Sequence, residues 1–139
     1  SGVVLGREGG ALPQLALPFR LFAGGPVGTG RQYLSWISLA DWIGIVQWTL
    51  TRNHVSGPIN LTAPEPVTNA EFARTMGRVL GRPSFVPTPA VVVRFALGEL
   101  ADAIILSGQR VVPTRAVALG YEFKHETLEA ALRDIYGKA

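Results

Sequence analysis

Cysteine is absent from the 139 residues. That excludes a disulfide, a zinc-thiolate centre and a cysteine nucleophile, and leaves the redox compartment open. Histidine is scarce. His54 and His125 are the only two, neither has a partner at metal-ligand spacing, and no metal site is expected. Charge is thin as well, at 17% of residues with a net +3. No run of five or six like charges occurs, so the basic residues read as a solvated surface and no nucleic-acid partner is expected. Long uninterrupted hydrophobic runs are missing too. The longest apolar stretch, Pro89 to Leu106, is broken by Arg94, Glu99 and Asp102, which argues against a membrane span. No cleavable signal is visible. The compartment stays open, with cytoplasm or an organelle matrix favoured.

What is abundant is apolar surface. Apolar residues make up 47% of the chain and the mean hydropathy is +0.25, both high for a small free-standing domain. A half-domain docked on a missing partner accounts for such a surplus. The chain opens on Ser1, directly inside the apolar run Gly2-Val3-Val4-Leu5. It therefore reads as a fragment, a processed product or the ordered part of something longer, and the expected partner is a missing N-terminal part, or another chain, covering its apolar face.

Gly2 to Leu5 suits a buried parallel strand. Pro13 to Phe22 places Leu15, Phe19 and Phe22 at near-helical spacing. Gly24 to Gly30 carries four glycines and a proline and must be a loop. Tyr33 to Ile37 reads as one strand. A helix follows from about Ala40 to Arg52, capped by Ser38 with Asp41 three residues on, and with Ile43, Val46 and Leu50 at helical spacing. Ile59 to Leu61 is a short strand. Thr68-Asn69-Ala70-Glu71 spells a capping box for a helix that buries Phe72, Met76, Val79 and Leu80 and stops at Gly81-Arg82-Pro83. Pro89 to about Ser107 forms a long helix, Val111-Val112 and Ala116 to Leu119 flank a turn, and Thr127 to Tyr136 is a last amphipathic helix. The alternation of strand and helix, followed by a helical tail, signals α/β architecture.

Gly30 to Asp41 resembles a segment of the extended short-chain dehydrogenase/reductases, roughly G-[KR]-Q-x-R-D-W-[IL]-x-V-x-D in the sugar-nucleotide epimerases and dehydratases. Gly2 to Gly6 resembles the strand after the catalytic Tyr-x-x-x-Lys helix, and Ile59-Asn60-Leu61 a later strand of the same fold. Thr68 to Pro83 and Leu119-Gly120-Tyr121 with Leu128 to Leu132 also match. Arg7 to Leu12, Gly24 to Gln32 and Gln109 to Pro113 are similar to an atypical, nucleoside-diphosphate-sugar epimerase-like branch with a C-terminal extension. The resemblance implies an α/β fold, the C-terminal, substrate-side part of a Rossmann-type extended reductase, with mixed short strands and helices. Residues 1–139 are that portion, and 89–139 a helical extension within it.

The resemblance also implies NAD(P), bound mostly by the absent half at a Gly-rich turn. No G-x-x-G-x-x-G occurs here after a strand. Tyr33, Tyr121 and Tyr136 have no lysine four residues on, so the general acid–base pair is lacking and catalytic residues are not expected in this chain. Gly25 to Gln32 superficially fits a phosphate loop, but Arg31 and Gln32 stand where lysine and a hydroxyl are required, and a strand follows instead of a helix.

Within the resemblance, Gly2 and Val3 are the candidate cofactor-binding residues at the nicotinamide end. Arg31, Trp36 and Asn60 are the candidate substrate-binding residues. Leu34 stands where the family pattern has an arginine for the substrate diphosphate, and an apolar side chain cannot neutralise that charge. Ser38 replaces a histidine this branch often carries. Two functions are therefore carried forward. One is the substrate-binding portion of an NAD(P)-dependent epimerase- or reductase-like protein acting on a small molecule, not catalytic by itself. The other is a non-catalytic structural or interaction module derived from that fold, serving as a subunit of a larger assembly.

Overall fold

The computed structural model describes residues 3–7, 12–51, 61–98, 112–118 and 120–137. The elements run β1 (Val3–Leu5), α1 (Leu12–Arg20), β2 (Tyr33–Leu34), β3 (Trp36–Ser38), α2 (Leu39–Leu50), β4 (Val67–Thr68), α3 (Asn69–Leu80), α4 (Ala90–Leu97), α5 (Thr114–Ala118) and α6 (Leu128–Tyr136). This is the mixed α/β arrangement of short strands and helices expected from the alternation.

The strand expected over Tyr33 to Ile37 is two strands. β2 pairs antiparallel with β4, Leu34 opposite Val67, while β3 pairs parallel with β1, Val4 opposite Ile37. The chain changes partner at Ser35, whose carbonyl accepts from the Val3 N–H at 2.8 Å. Among the described residues β1 is bonded along one edge only. The expected strand at Ile59 to Leu61 falls largely outside the described residues.

Two helix starts form as their sequences dictate. Thr68 Oγ1 accepts from the Glu71 N–H at 3.2 Å, and Glu71 Oε1 accepts from the Thr68 N–H at 3.0 Å, closing the capping box of α3. Gly81, left-handed at φ 66°, ends that helix as a residue without Cβ can. Ser38 caps α2 by accepting from the Asp41 N–H.

The inward face of α2 is not the Ile43, Val46 and Leu50 stripe. Asp41 and Ile45 are its buried residues, whereas Ile43 is 42% and Leu50 79% exposed. The helix is apolar on more than one side, and a buried carboxylate, not the apolar stripe, decides which side turns inward. Phe22 is corrected likewise: it lies past the end of α1 and is exposed, while Leu12, Leu15, Ala16 and Phe19 are buried. Thr114–Ala118 is a short helix, where a turn between Val111-Val112 and Ala116 to Leu119 was expected.

The core lies between β1/β3, α1, α3 and α6. Trp36, Met76, Ala131 and Leu132 are fully buried there, and each large apolar side chain contributes about 1.5–3 kcal/mol by leaving water. An exposed tie closes the α3–α6 seam: Glu129 accepts from Arg133 at 2.8 Å and from Arg78 at 2.8 Å. The Arg133 bond, then the Arg78 bond, holds the Glu129 carboxyl below its ordinary range. A carboxyl whose folded pKa is depressed contributes stability above its unfolded pKa and loses it as pH falls through the folded value. The thermal midpoint of Glu129→Gln should therefore lie slightly below that of the parent at neutral pH. The gap should close as the pH falls below the ordinary value of 4.5. Midpoints measured across that range check the sign.

Candidate functional site

Two features stand out once the core is in place. The first is a pocket of about 80 Å³ between α1, the 25–27 loop, β2, the start of α3 and Thr88. Leu15 and Phe19 form one wall, Leu34 the floor side from β2, and Phe72 and Ala73 the wall from α3. The loop that closes it is pinned: the Val27 N–H donates to Asn69 Oδ1 at 2.6 Å, and Gln32 Nε2 donates to the Val27 carbonyl at 3.0 Å. Val27 also bridges to Thr88. Gly25 is required here, because a Cβ at that position would collide with the Val86 carbonyl. No charged side chain is among the lining residues.

The second feature is a buried polar cluster joining the β3–α2 junction to the C-terminal segment. Asp41 is 0% exposed. Its Oδ1 accepts from the Tyr121 hydroxyl at 2.9 Å and the Lys124 N–H at 2.8 Å. Its Oδ2 accepts from the His125 N–H at 2.9 Å and the Ser38 hydroxyl at 3.1 Å. His125 Nδ1 lies 2.9 Å from Ser38 Oγ, and Nε2 lies 2.9 Å from Asp134 Oδ2. Burial, then the hydrogen bond to Asp41 and its charge, push the Tyr121 phenol above its ordinary range. The Tyr121 hydroxyl is committed to Asp41, and no lysine stands four residues on, so it does not form the acid–base pair.

Ser38, His125 and Asp134 form a Ser–His–Asp relay with the ring nitrogens the reverse of a hydrolytic triad's, and the arrangement is closed to substrate. Ser38 is 1% exposed. Its hydroxyl is engaged with Asp41 on one side and His125 on the other, and it also accepts from the Asp41 N–H. A nucleophile needs an open approach and a base that is free to take its proton. The cluster is a fastener: it ties residues 121–134 to the start of α2.

Sequence reasoning placed Ser38 and Asp41 as a cap and missed the rest. Tyr121, His125 and Asp134 stand some 80 or more residues from the Ser38–Asp41 turn, or act through one that does, and no local pattern links them. The one available signal is a capping aspartate on a helix whose other residues are largely apolar.

Of the residues singled out for binding, Val3 is half-buried on β1 and Arg31 is exposed just before β2. Among the described residues the Arg31 guanidinium has no acidic partner. Trp36 is fully buried, and its Nε1–H donates to the Glu65 carbonyl at 2.8 Å. It offers no ring face to a ligand in this chain. Gly2 and Asn60 lie outside the described residues; of the rest, Val3 and Trp36 are brought together as register partners on β1 and β3. Among the described residues no group of three or more His, Asp or Glu gathers to hold a metal, and no helix is long and apolar enough to cross a membrane.

Comparison with known proteins gives a consistent picture. Residues 88–135 match a family described as a domain of unknown function, DUF1731. The chain is 52% identical over 136 residues to the mouse epimerase family protein SDR39U1, covering 97% of this chain and 46% of that protein. The Bacillus subtilis epimerase family protein YfhF is 42% identical over 134 residues, with 96% and 44% covered. The chain thus spans about half the length of the curated relatives it matches. The crystal structure of the human epimerase family protein SDR39U1 (isoform 2) with NADPH superposes at a TM-score of 0.89, with 47% identity, 99% of this chain and 47% of that chain. A nucleoside-diphosphate sugar epimerase from Corynebacterium glutamicum superposes at 0.74, with 30% identity, covering 98% of this chain and 25% of that one. In sequence and fold this chain corresponds to the C-terminal portions of epimerase family proteins of the extended short-chain dehydrogenase/reductase type.

Proposed function

We propose that this chain is the substrate-side portion of an NAD(P)-dependent epimerase- or reductase-like protein, and that it has no catalytic activity by itself. The observation that carries the reading is the likeness, over nearly the whole chain, to part of a human protein crystallised with NADPH. Two features support it. β1 is bonded along one edge only among the described residues. The apolar Ile43 and Leu50 of α2 stand exposed, as they would where another part of the fold covers them.

The described residues do not make a dinucleotide site of their own. The sequence has no G-x-x-G-x-x-G between a strand and a helix and no Tyr-x-x-x-Lys pair. When bound to the intact protein, the cofactor supplies hydride chemistry. The part left to this chain is to pass Val3, and Gly2 before it, along the nicotinamide end, and to present Arg31 and Asn60 to substrate. Trp36 holds β3 in place from the core.

A second reading, a non-catalytic module retained for assembly, is favoured by one specific observation. Leu34 is buried where the family pattern has an arginine for a diphosphate. Titrating the intact protein with NADPH and following the enhancement of nicotinamide fluorescence separates the two. The first reading expects a saturable signal from the intact protein and none from residues 1–139 alone. No response from the intact protein at millimolar NADPH would leave the assembly module standing.

A further inference from the structure

We propose that the pocket between α1 and the first turns of α3 receives the short alkyl end of an uncharged carbonyl substrate. The inference rests on the reading above and gives its substrate a chemical class. A diphosphate needs cationic or multiple N–H donors, and no lysine, arginine or histidine lines this pocket. Leu34, where a phosphate-binding arginine would stand, is 1% exposed and forms part of the apolar wall. Leu15, Phe19, Phe72 and Ala73 complete it. Such a wall takes hydrocarbon and leaves a charged group unpaired.

Size narrows the class further. The pocket holds about 80 Å³, about half of the 150 Å³ cavity that accommodates a benzene ring. By that comparison it has room for about three or four carbon atoms and none for a nucleotide base. Three polar side chains, Gln14, Asn69 and Thr88, are among the lining residues, and Asn69 is the buried one. Its Oδ1 is taken by the Val27 N–H, and its amide nitrogen has no partner among the described residues. A mostly apolar pocket with a few neutral polar groups suits a neutral oxygen followed by a short chain.

The test uses the intact protein saturated with NADP⁺, which prevents turnover, and a series of methyl ketones from acetone to 2-octanone. Saturation-transfer NMR reads the dissociation constant of each. Affinity should rise about fourfold for each added methylene until the chain reaches 2-hexanone, then level off. UDP-glucose should not displace 2-hexanone. Ala73→Leu fills the pocket and should reduce every ketone to the affinity of acetone. Gln14→Trp alters only the exposed mouth and should weaken the longer ketones without touching the core. A flat series in the parent overturns the proposal. So does displacement by UDP-glucose, or a gradient that survives both substitutions. NADPH fluorescence is recorded on the same protein preparations before NADP⁺ is added. A flat series with a normal NADPH response removes the alkyl pocket and leaves the reductase reading intact, whereas loss of both removes the two together.

Discussion

Asp41→Ala is expected to lower the stability of the intact protein by about 4 kcal/mol, since it strands several buried donors at once. The carboxylate accepts from two backbone amides, those of Lys124 and His125, and from the hydroxyls of Tyr121 and Ser38. The hydroxyls can rotate toward other acceptors, but the two amides are fixed in the chain. Asp41→Asn is the sharper variant. Each carboxylate oxygen receives two donors, so an amide nitrogen on either side meets N–H or O–H groups head on. That substitution, nearly without change of volume, should still cost about 2–3 kcal/mol. Tyr121→Phe should cost less, because the carboxylate keeps its other three donors. Denaturant midpoints of the three variants, expected in the order Tyr121→Phe, Asp41→Asn, Asp41→Ala from most to least stable, check the account. An Asp41→Asn midpoint equal to that of the parent would show that the amides of Lys124 and His125 find other acceptors.

The same cluster marks where the sequence stopped being legible. Helix starts were readable because a cap is a contact between residues three apart. Thr68 with Glu71, and Ser38 with Asp41, form as their spacing implies. The end of α3 was readable because Gly81 alone takes the left-handed turn without a Cβ penalty. The face of α2 was not. Ile43, Val46 and Leu50 make a good helical stripe, yet the acid at Asp41 turns inward because its partners arrive from residues 121–125. Periodicity reports which residues share a face and carries no information on what that face meets. The split at Ser35 has the same origin: Tyr33 to Ile37 has one continuous strand composition, but its two halves pair with β4 and β1 from opposite ends of the chain. Of the site, the apolar character of Leu34 was visible in the sequence. The pocket it lines was not, since α1, β2 and α3 meet there only in the fold.

Trp36 supplies the other large effect. Trp36→Ala should destabilise the protein by about 4 kcal/mol, through lost transfer energy and the cavity left between β3 and the core helices. Its ring is fully buried and its Nε1–H holds the Glu65 carbonyl at 2.8 Å. Trp36→Phe keeps most of the hydrocarbon but leaves that carbonyl without its donor, and should cost about 2 kcal/mol. The two variants also decide what Trp36 does. A core tryptophan alters the fraction folded and leaves the affinity of each folded molecule for NADPH or a small ketone where it was. A stacking tryptophan does the reverse, weakening the ligand more than the fold. Measuring the midpoint and the dissociation constants on the same Trp36→Phe sample separates the two. Weakened ligand binding at an unchanged midpoint would move this side chain out of the core and back to the substrate. The burial of Trp36 and the direction of its N–H bond predict the opposite result, a lower midpoint with unchanged binding.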